Sequence, residues 1–360
     1  MSFLSNMTKG ITTANLLSDG GNSSEFSGTI DTGSYILNAL VSGSIYGGVP
    51  NNKIVAFAGE SATGKTFFVL GVIKQFMKDN ATGGVIYFDT EAAVTKKMME
   101  DRGIDSSRVV IVEPSSIEEF RTDATRILTS YIDTPESEKE PMMMVLDSLG
   151  MLSSKKELED TEAGTDKRDM TKAQLLRGTF RVLSLKLAKA NVPLMLTNHV
   201  YDVIGSYFPQ KEISGGKGLK YAASSIIMLG KKKDKDGTEI VGNIIGCTTH
   251  KSRFTKENKK VEVKLSFDKG LDRYYGLLEL AEKYEIIKKV STRYELPDGS
   301  KVFGKAINAN PEKVFTPDIL DQLDVAARKE FMYGEFEEEP TINEEEIITQ
   351  QQEEKENDKV

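Results

Sequence analysis

The segment from Gly59 to Thr66 reads GESATGKT. It fits G-x-x-x-x-G-K-[ST], the Walker A phosphate loop. It lies between a strand-like run, KIVAFA, and a helix-like run, FFVLGVIKQF, as that motif requires. Glycines let a backbone curl until several N–H groups face one anion. The start of a helix adds partial positive charge. Gly59, Glu60, Ser61, Ala62, Thr63 and Gly64 therefore form an expected cradle, with Lys65 reaching β- and γ-phosphates and Thr66 offering its hydroxyl to Mg²⁺. Kinases, GTPases and motors share such a loop, so it does not name a function.

Other residues narrow the chemistry. MMMVLDS places Asp147 at a strand end, as a Walker B carboxylate that holds the Mg²⁺ shell. VIYFDTE places Glu91 at the end of a neighbouring strand. Ligands of such sheets bind beyond those ends, where a carboxylate can orient a water for attack on a γ-phosphate. Alone, Glu91 is equally a solvated loop acid. LMLTNHV ends a further strand with Asn198 and His199, which can hydrogen-bond a terminal phosphate and report it to the following loop. Alone, His199 is more often a structural histidine. THKSRFTKENKK puts Lys251 and Arg253 two apart on a strand, hence on one face. Two such cations can clamp a phosphate as arginine fingers do; a solvated strand end is the plainer alternative.

The elements that must position these groups alternate. Strand-like runs KIVAFAG, GGVIYFD, RVVIVEP, MMMVLD, VPLMLTN and SIIMLG are separated, early in the chain, by helical stretches such as KTFFVLGVIKQFMKD and IEEFRTDATRILTSYI. This pattern implies βαβ units, an α/β class and a mostly parallel central sheet. Residues 31–275 form this expected core. Two intervals break its rhythm, 153–169 and 200–218, and long loops inside a compact domain tend to be functional or disordered. Residues 1–30 are polar and read as an arm or linker. Residues 276–334 form a small α+β C-terminal domain, with LLELAEKYEIIKK a helix and YELPDGSKVFG a hairpin. A last helix follows in TPDILDQLDVAARKEF, with Thr316 as N-cap and Pro317 in its first turn.

Net charge over the 360 residues is −8, unpromising for a nucleic-acid binder. The acidity is local, however. Residues 335–360 hold 11 acids and 2 lysines, and the rest of the chain carries 44 acids and 45 bases. The tail is therefore expected to be a solvated acidic segment that either competes with bound phosphates for basic surface or serves solubility or the docking of partner proteins. No apolar run approaches the roughly 20 residues of a membrane span, and MSFLSNMTKG lacks an apolar signal core. The single cysteine, Cys247, suits a reducing, cytoplasmic compartment and reads as a buried strand residue.

Taken together, FDTE, LDSLG, TNH and HKSR at these separations from the phosphate loop resemble the RecA/Rad51 recombinase family, and within it the UvsX-type recombinases of T-even-like bacteriophages. The likeness runs from about Ile30 to about Phe331. IDTGSYILNALVSGSIYGG, DSLGMLSSKKE, DMTKAQLLRGTFR and NHVYD carry it further. It implies a RecA-type ATPase core using ATP and Mg²⁺, with Glu91 as catalytic glutamate, Asp147 as Walker B and His199 as γ-phosphate sensor. Lys251 and Arg253 would reach a neighbour's nucleotide across a filament interface. The arm would pack on the next core. Residues 153–169 and 200–217 would be DNA loops. The first holds Lys155, Lys156, Lys167 and Arg168, and the second Tyr201, Tyr207, Phe208, Lys211 and Lys217. Cations can track phosphates, and aromatic rings can wedge between bases. One departure concerns Met98, seven residues after Glu91, where the family usually places an aromatic that stacks on adenine.

The implied function is a DNA-dependent ATPase that forms helical filaments on single-stranded DNA and pairs it with homologous duplex. A single-strand-binding protein and a mediator are expected partners, in the cytoplasm of a bacterial host. Two alternatives stay open, a hexameric RecA-fold helicase and an ATP-switched DNA scaffold without strand exchange.

Overall fold

The computed structural model describes Phe3 and residues 7–11, 28–165, 171–202, 211–215, 217–267, 270–296 and 298–334. Most of the arm, the acidic tail, Lys167, Arg168, Tyr207, Phe208 and the side chain of Lys217 lie outside the described residues.

A short antiparallel pair, β1 (Thr29–Ile30) and β2 (Val49–Pro50), flanks helix α1 (Tyr35–Ser42). The chain then alternates β3 (Ile54–Gly59), α2 (Lys65–Asp79), β4 (Gly84–Asp89), α3 (Lys96–Glu100), β5 (Val109–Val112), α4 (Ile117–Asp133) and β6 (Met142–Asp147). Next come α5 (Lys155–Glu162), α6 (Lys172–Ala190), β7 (Leu194–Asp202), β8 (Lys211–Ile213), α7 (Lys217–Ala222), β9 (Ser225–Asp236), β10 (Glu239–Ser252), β11 (Lys260–Ser266) and β12 (Gly270–Leu271). The strand order is β12-β11-β10-β9-β3-β7-β6-β4-β5, with β8 paired to the end of β7. From β9 to β5 every pairing is parallel; β10 to β12 extend the sheet antiparallel. This is the α/β, RecA-type architecture expected.

Strand periodicity explains the unbroken apolar runs. On β3, Val55 and Phe57 face one buried cluster with α1 and α2, while Ile54, Ala56 and Ala58 face a second with α4 and α6. A strand covered on both faces needs no polar alternation. Cys247 lies in β10, fully buried as read.

Residues 276–334 contain α8 (Leu277–Lys283), a three-stranded sheet of β13 (Lys288–Val290), β14 (Arg293–Glu295) and β15 (Lys301–Phe303), then α9 (Gly304–Ala309) and α10 (Pro317–Phe331). Leu277, Leu320 and Phe331 share the cluster that contains α1. The hairpin over residues 294–304 is present as β14–β15. Thr316 stands at the N-cap of α10, although its side chain makes no capping bond.

Three readings are corrected. The helix expected through Lys289 stops at Lys283: Glu285 takes a left-handed backbone (φ 58°), and burial of Ile287 turns the chain into β13. The interval 153–169 is not loop throughout, because α5 occupies Lys155–Glu162, started by a capping box between Ser154 and Glu157. The interval 200–218 is not loop throughout among its described residues: β7 continues to Asp202, β8 returns antiparallel to it, and α7 begins at Lys217.

Candidate active site

Sheet register sets the site. Gly59 of β3 pairs with His199 of β7, and Asp89 of β4 pairs with Asp147 of β6. Leu146 pairs with Leu196, which puts Asp147 beside Thr197. Four strand ends therefore present Gly59, His199, Asp147 and the Asp89–Glu91 segment along one edge, where α2 begins.

The loop from Gly59 to Thr66 has the backbone a phosphate cradle needs. Gly64 is left-handed (φ 91°) at the N-cap of α2, and a Cβ on Gly59 would fall 2.6 Å from the Thr63 hydroxyl and 2.9 Å from the Leu229 carbonyl. Lys65 is 7% exposed, and its ammonium donates to the carbonyls of Gly59 (3.2 Å) and Glu60 (2.8 Å). Burial pulls its pKa down, opposed by the charges of Glu91 and Asp147. The cation is thus held over the loop by weak acceptors that a phosphate can replace.

Asp147 is buried and collects donors. Thr66 Oγ1 and the Tyr87 phenol each donate to its Oδ2 at 2.7 Å, and the Thr197 hydroxyl donates to Oδ1. Burial and the adjoining Asp147 charge push the Tyr87 phenol up, so it stays a donor. Tyr87 and Thr197 escaped the sequence reading. Their signal was positional, since strand neighbours near the last residues of β4 and β7 must flank Asp147. The Asp147–Ser148 peptide is cis, and the Ser148 hydroxyl lies buried beside Glu91.

Glu91 is aimed by its neighbours. Asp89 accepts backbone N–H groups of Glu91 (3.0 Å), Ala93 (3.1 Å) and Val94 (3.1 Å), pinning the turn after β4. Thr90 locks that turn to Ser148 in both directions, at 2.8 Å each way. Glu91 Oε1 and His199 Nε2 then meet at 2.9 Å. Burial acts to raise the Glu91 pKa. The Ser148 hydroxyl beside it, the His199 contact and the charges of His199 and Lys65 outweigh burial and lower it. Glu91 is accordingly a carboxylate at neutral pH.

His199 links this edge to the second loop. Its amide donates to Asn198 Oδ1 at 2.9 Å, its carbonyl accepts Ser214 N–H at 2.9 Å, and Asn198 Nδ2 donates to the Ser214 carbonyl at 2.7 Å. Beyond it Val200, Tyr201 and Asp202 pair with Ile213, Glu212 and Lys211. Tyr201 is half exposed, and the Lys211 ammonium pairs with the carboxylate of Glu60. Lys155 and Lys156 are exposed in the first turn of α5.

Lys251 and Arg253 are not brought to this edge. Lys251 pairs with Ile226, which is level with Ala56, three residues before Gly59 on β3. That is about 10 Å back along the strand direction. The Lys251 ammonium donates to the Lys220 and Ala223 carbonyls, and the Arg253 guanidinium to the Tyr221 carbonyl at 2.9 Å. Both cap the end of α7, so they do share a side. Burial and the nearby Arg253 charge lower the Lys251 pKa to about 8.

Met98 sits half-buried in the first turn of α3 against the main core. Phe67 follows directly after Thr66, with the Arg102 guanidinium 5.6 Å from its ring centroid. A cavity of about 560 Å³ runs along that face of α2, lined by Phe67, Lys74, Arg102 and Phe267 among others.

A family model described as the RecA N-terminal domain matches residues 2–272. This chain belongs to the RecA family. Among its relatives, the "Recombination and repair protein" of Enterobacteria phage T4 is 30% identical over 254 residues, covering 71% of this chain and 63% of that protein. "Protein RecA" of Malacoplasma penetrans is 29% identical, covering 72% of this chain and 75% of that one. "Protein RecA" of Macrococcus caseolyticus is 27% identical over 322 residues, covering 89% and 86%. The match thus spans less than two thirds of the phage relative's length, and most of the bacterial ones. No helix among the described residues is long and apolar enough to cross a membrane.

Proposed function

We propose that this protein is a DNA-dependent ATPase that assembles on single-stranded DNA as a helical filament and exchanges it into homologous duplex, acting in recombination and repair. The reading rests on one observation above all. A phosphate loop, an aimed carboxylate and a histidine share one sheet edge, and the histidine's strand continues directly into a hairpin bearing exposed Tyr201 and Lys211.

The chemistry follows from these groups. Lys65 exchanges two carbonyls for β- and γ-phosphate oxygens. Glu91, ionised, orients the attacking water. His199 leaves Glu91 for the γ-phosphate, and β7 passes that displacement to the second DNA loop. Thr66 and Asp147 are hard oxygen donors 2.7 Å apart, suited to Mg²⁺. These residues would hold the ion, which neutralises phosphate charge when bound. The bacterial-host cytoplasm, a single-strand-binding protein and a mediator accompany this reading through the phage likeness.

Assembly has support of its own. Edge strand β5 exposes Val110 (56%) and Ile111 (42%), and an open apolar edge is a template for another chain. The separation of Lys251 and Arg253 from their own phosphate loop favours action on a neighbour's nucleotide. A Lys251→Ala, Arg253→Ala subunit mixed with a Lys65→Ala subunit is expected to recover part of the DNA-dependent ATPase that neither has alone. No recovery, despite demonstrated co-assembly, would count against action in trans.

His199→Ala removes the link between Glu91 and the second loop. Single-stranded DNA is expected to stimulate its ATPase far less than the parent's. Stimulation equal to the parent's would leave His199 a structural role only.

The function itself is tested by electron microscopy with single-stranded DNA and ATP, followed by a strand-exchange assay. Helical filaments with exchanged product are the expected outcome. Closed rings would favour a helicase, and filaments without exchange a scaffold.

A further inference from the structure

We propose that Glu60 is a positioning residue for Lys211: the pair forms a latch that holds β8, on the return side of the second DNA loop, against the phosphate loop until nucleotide binds. The inference rests on the DNA-binding reading above.

Glu60 is the second residue of the phosphate loop, and the loop's purpose gives its carboxylate no task, since an acid there repels the phosphates the loop collects. Its side chain points instead to Lys211. Lys211 is the first residue of β8, where the chain returns from the second loop, opposite Asp202. Behind it, Ser214 is tied to His199 and Asn198. The ion pair therefore joins directly two elements that sheet pairing connects only through β7, 151 residues apart in sequence. Both side chains are substantially exposed, 47% for Lys211 and 60% for Glu60. Such a pair shifts an equilibrium by no more than roughly fivefold, which suits a latch that must open.

Nucleotide opens it through the backbone. The Glu60 carbonyl accepts the Lys65 ammonium at 2.8 Å and the Thr63 hydroxyl at 2.8 Å. When Lys65 turns to phosphate it releases that carbonyl, and the loop around Glu60 resets. The incoming negative charge also disfavours the Glu60 carboxylate. Lys211 then exchanges Glu60 for a DNA phosphate. Glu60 and DNA compete for one ammonium, and linkage makes the competition reciprocal.

The test is binding of a fluorescent oligo(dT) by anisotropy, with and without a non-hydrolysable ATP analogue. The parent is expected to bind more tightly with the analogue. Glu60→Gln is expected to bind about three- to fivefold more tightly than the parent without nucleotide, and nearly the same with it. In a Lys211→Gln background the same Glu60 substitution is expected to change nothing. Parent-like nucleotide-free affinity in Glu60→Gln would overturn the latch alone, and so would a gain that persists without Lys211, since that reports only lost negative charge. A parent that binds no oligonucleotide in either condition would overturn the functional reading and the latch with it.

Discussion

Lys65→Ala is expected to lose ATP hydrolysis and strand exchange together. The ammonium is the positive side chain seated within the phosphate loop, 7% exposed and supported on the Gly59 and Glu60 carbonyls. It neutralises charge that grows on the γ-phosphate as the bond breaks. Removing one preorganised donor of this kind costs about 10²–10³ in turnover. Loss of the ground-state contact to the β- and γ-phosphates adds to that. The fold is expected to survive. Burial already disfavours the Lys65 charge, and of the two freed carbonyls that of Glu60 belongs to an exposed residue. Phosphate release and strand exchange are to be measured beside far-UV circular dichroism. Near-normal turnover in a folded variant would refute the assignment of this loop.

Glu91→Gln separates binding from chemistry. The amide keeps the size of the side chain and can still meet His199, so nucleotide is expected to bind with near-parent affinity. What is lost is the carboxylate that polarises water. General-base contributions are about 10²–10⁴-fold, and the expected fall in turnover lies in that range. Since γ-phosphate persists, filaments on DNA are expected to outlast those of the parent. Single-turnover hydrolysis and filament lifetime are the measurements. A fall of less than about tenfold would mean that another group positions the water.

Much of this site was legible in order along the chain. The phosphate loop is a contiguous motif whose glycines and lysine have a local physical reason, and Gly59 and Gly64 show it in the close approach and left-handed backbone they allow. Asp147, Glu91 and His199 could be named because parallel sheets present their strand ends to ligand. Apolar runs without alternation implied strands covered on both faces. The capping box at Ser154 and Glu157 was also present as a written signal for α5, obscured by the charge of the segment around it. Likewise Asp236-Gly237 marks the turn of the β9–β10 hairpin, with Gly237 at φ 62°.

The rest depended on which strands lie side by side. Strand order β3-β7-β6-β4 does not follow chain order, so no local pattern brings Tyr87 and Thr197 onto Asp147 or His199 onto Glu91. The Glu60–Lys211 pair likewise needs β8 folded back on β7. Lys251 and Arg253 read in sequence as two apart on one strand, but β10 ends at Ser252, and what they share is the end of α7. Only register showed that they cap α7, back along the strands from their own phosphate loop. Local sequence determines what each residue can do and which strand or helix carries it, because propensity, glycine geometry and charge act over a few residues. Which groups meet is decided by long-range pairing and burial, which are properties of the folded sheet and not of any segment.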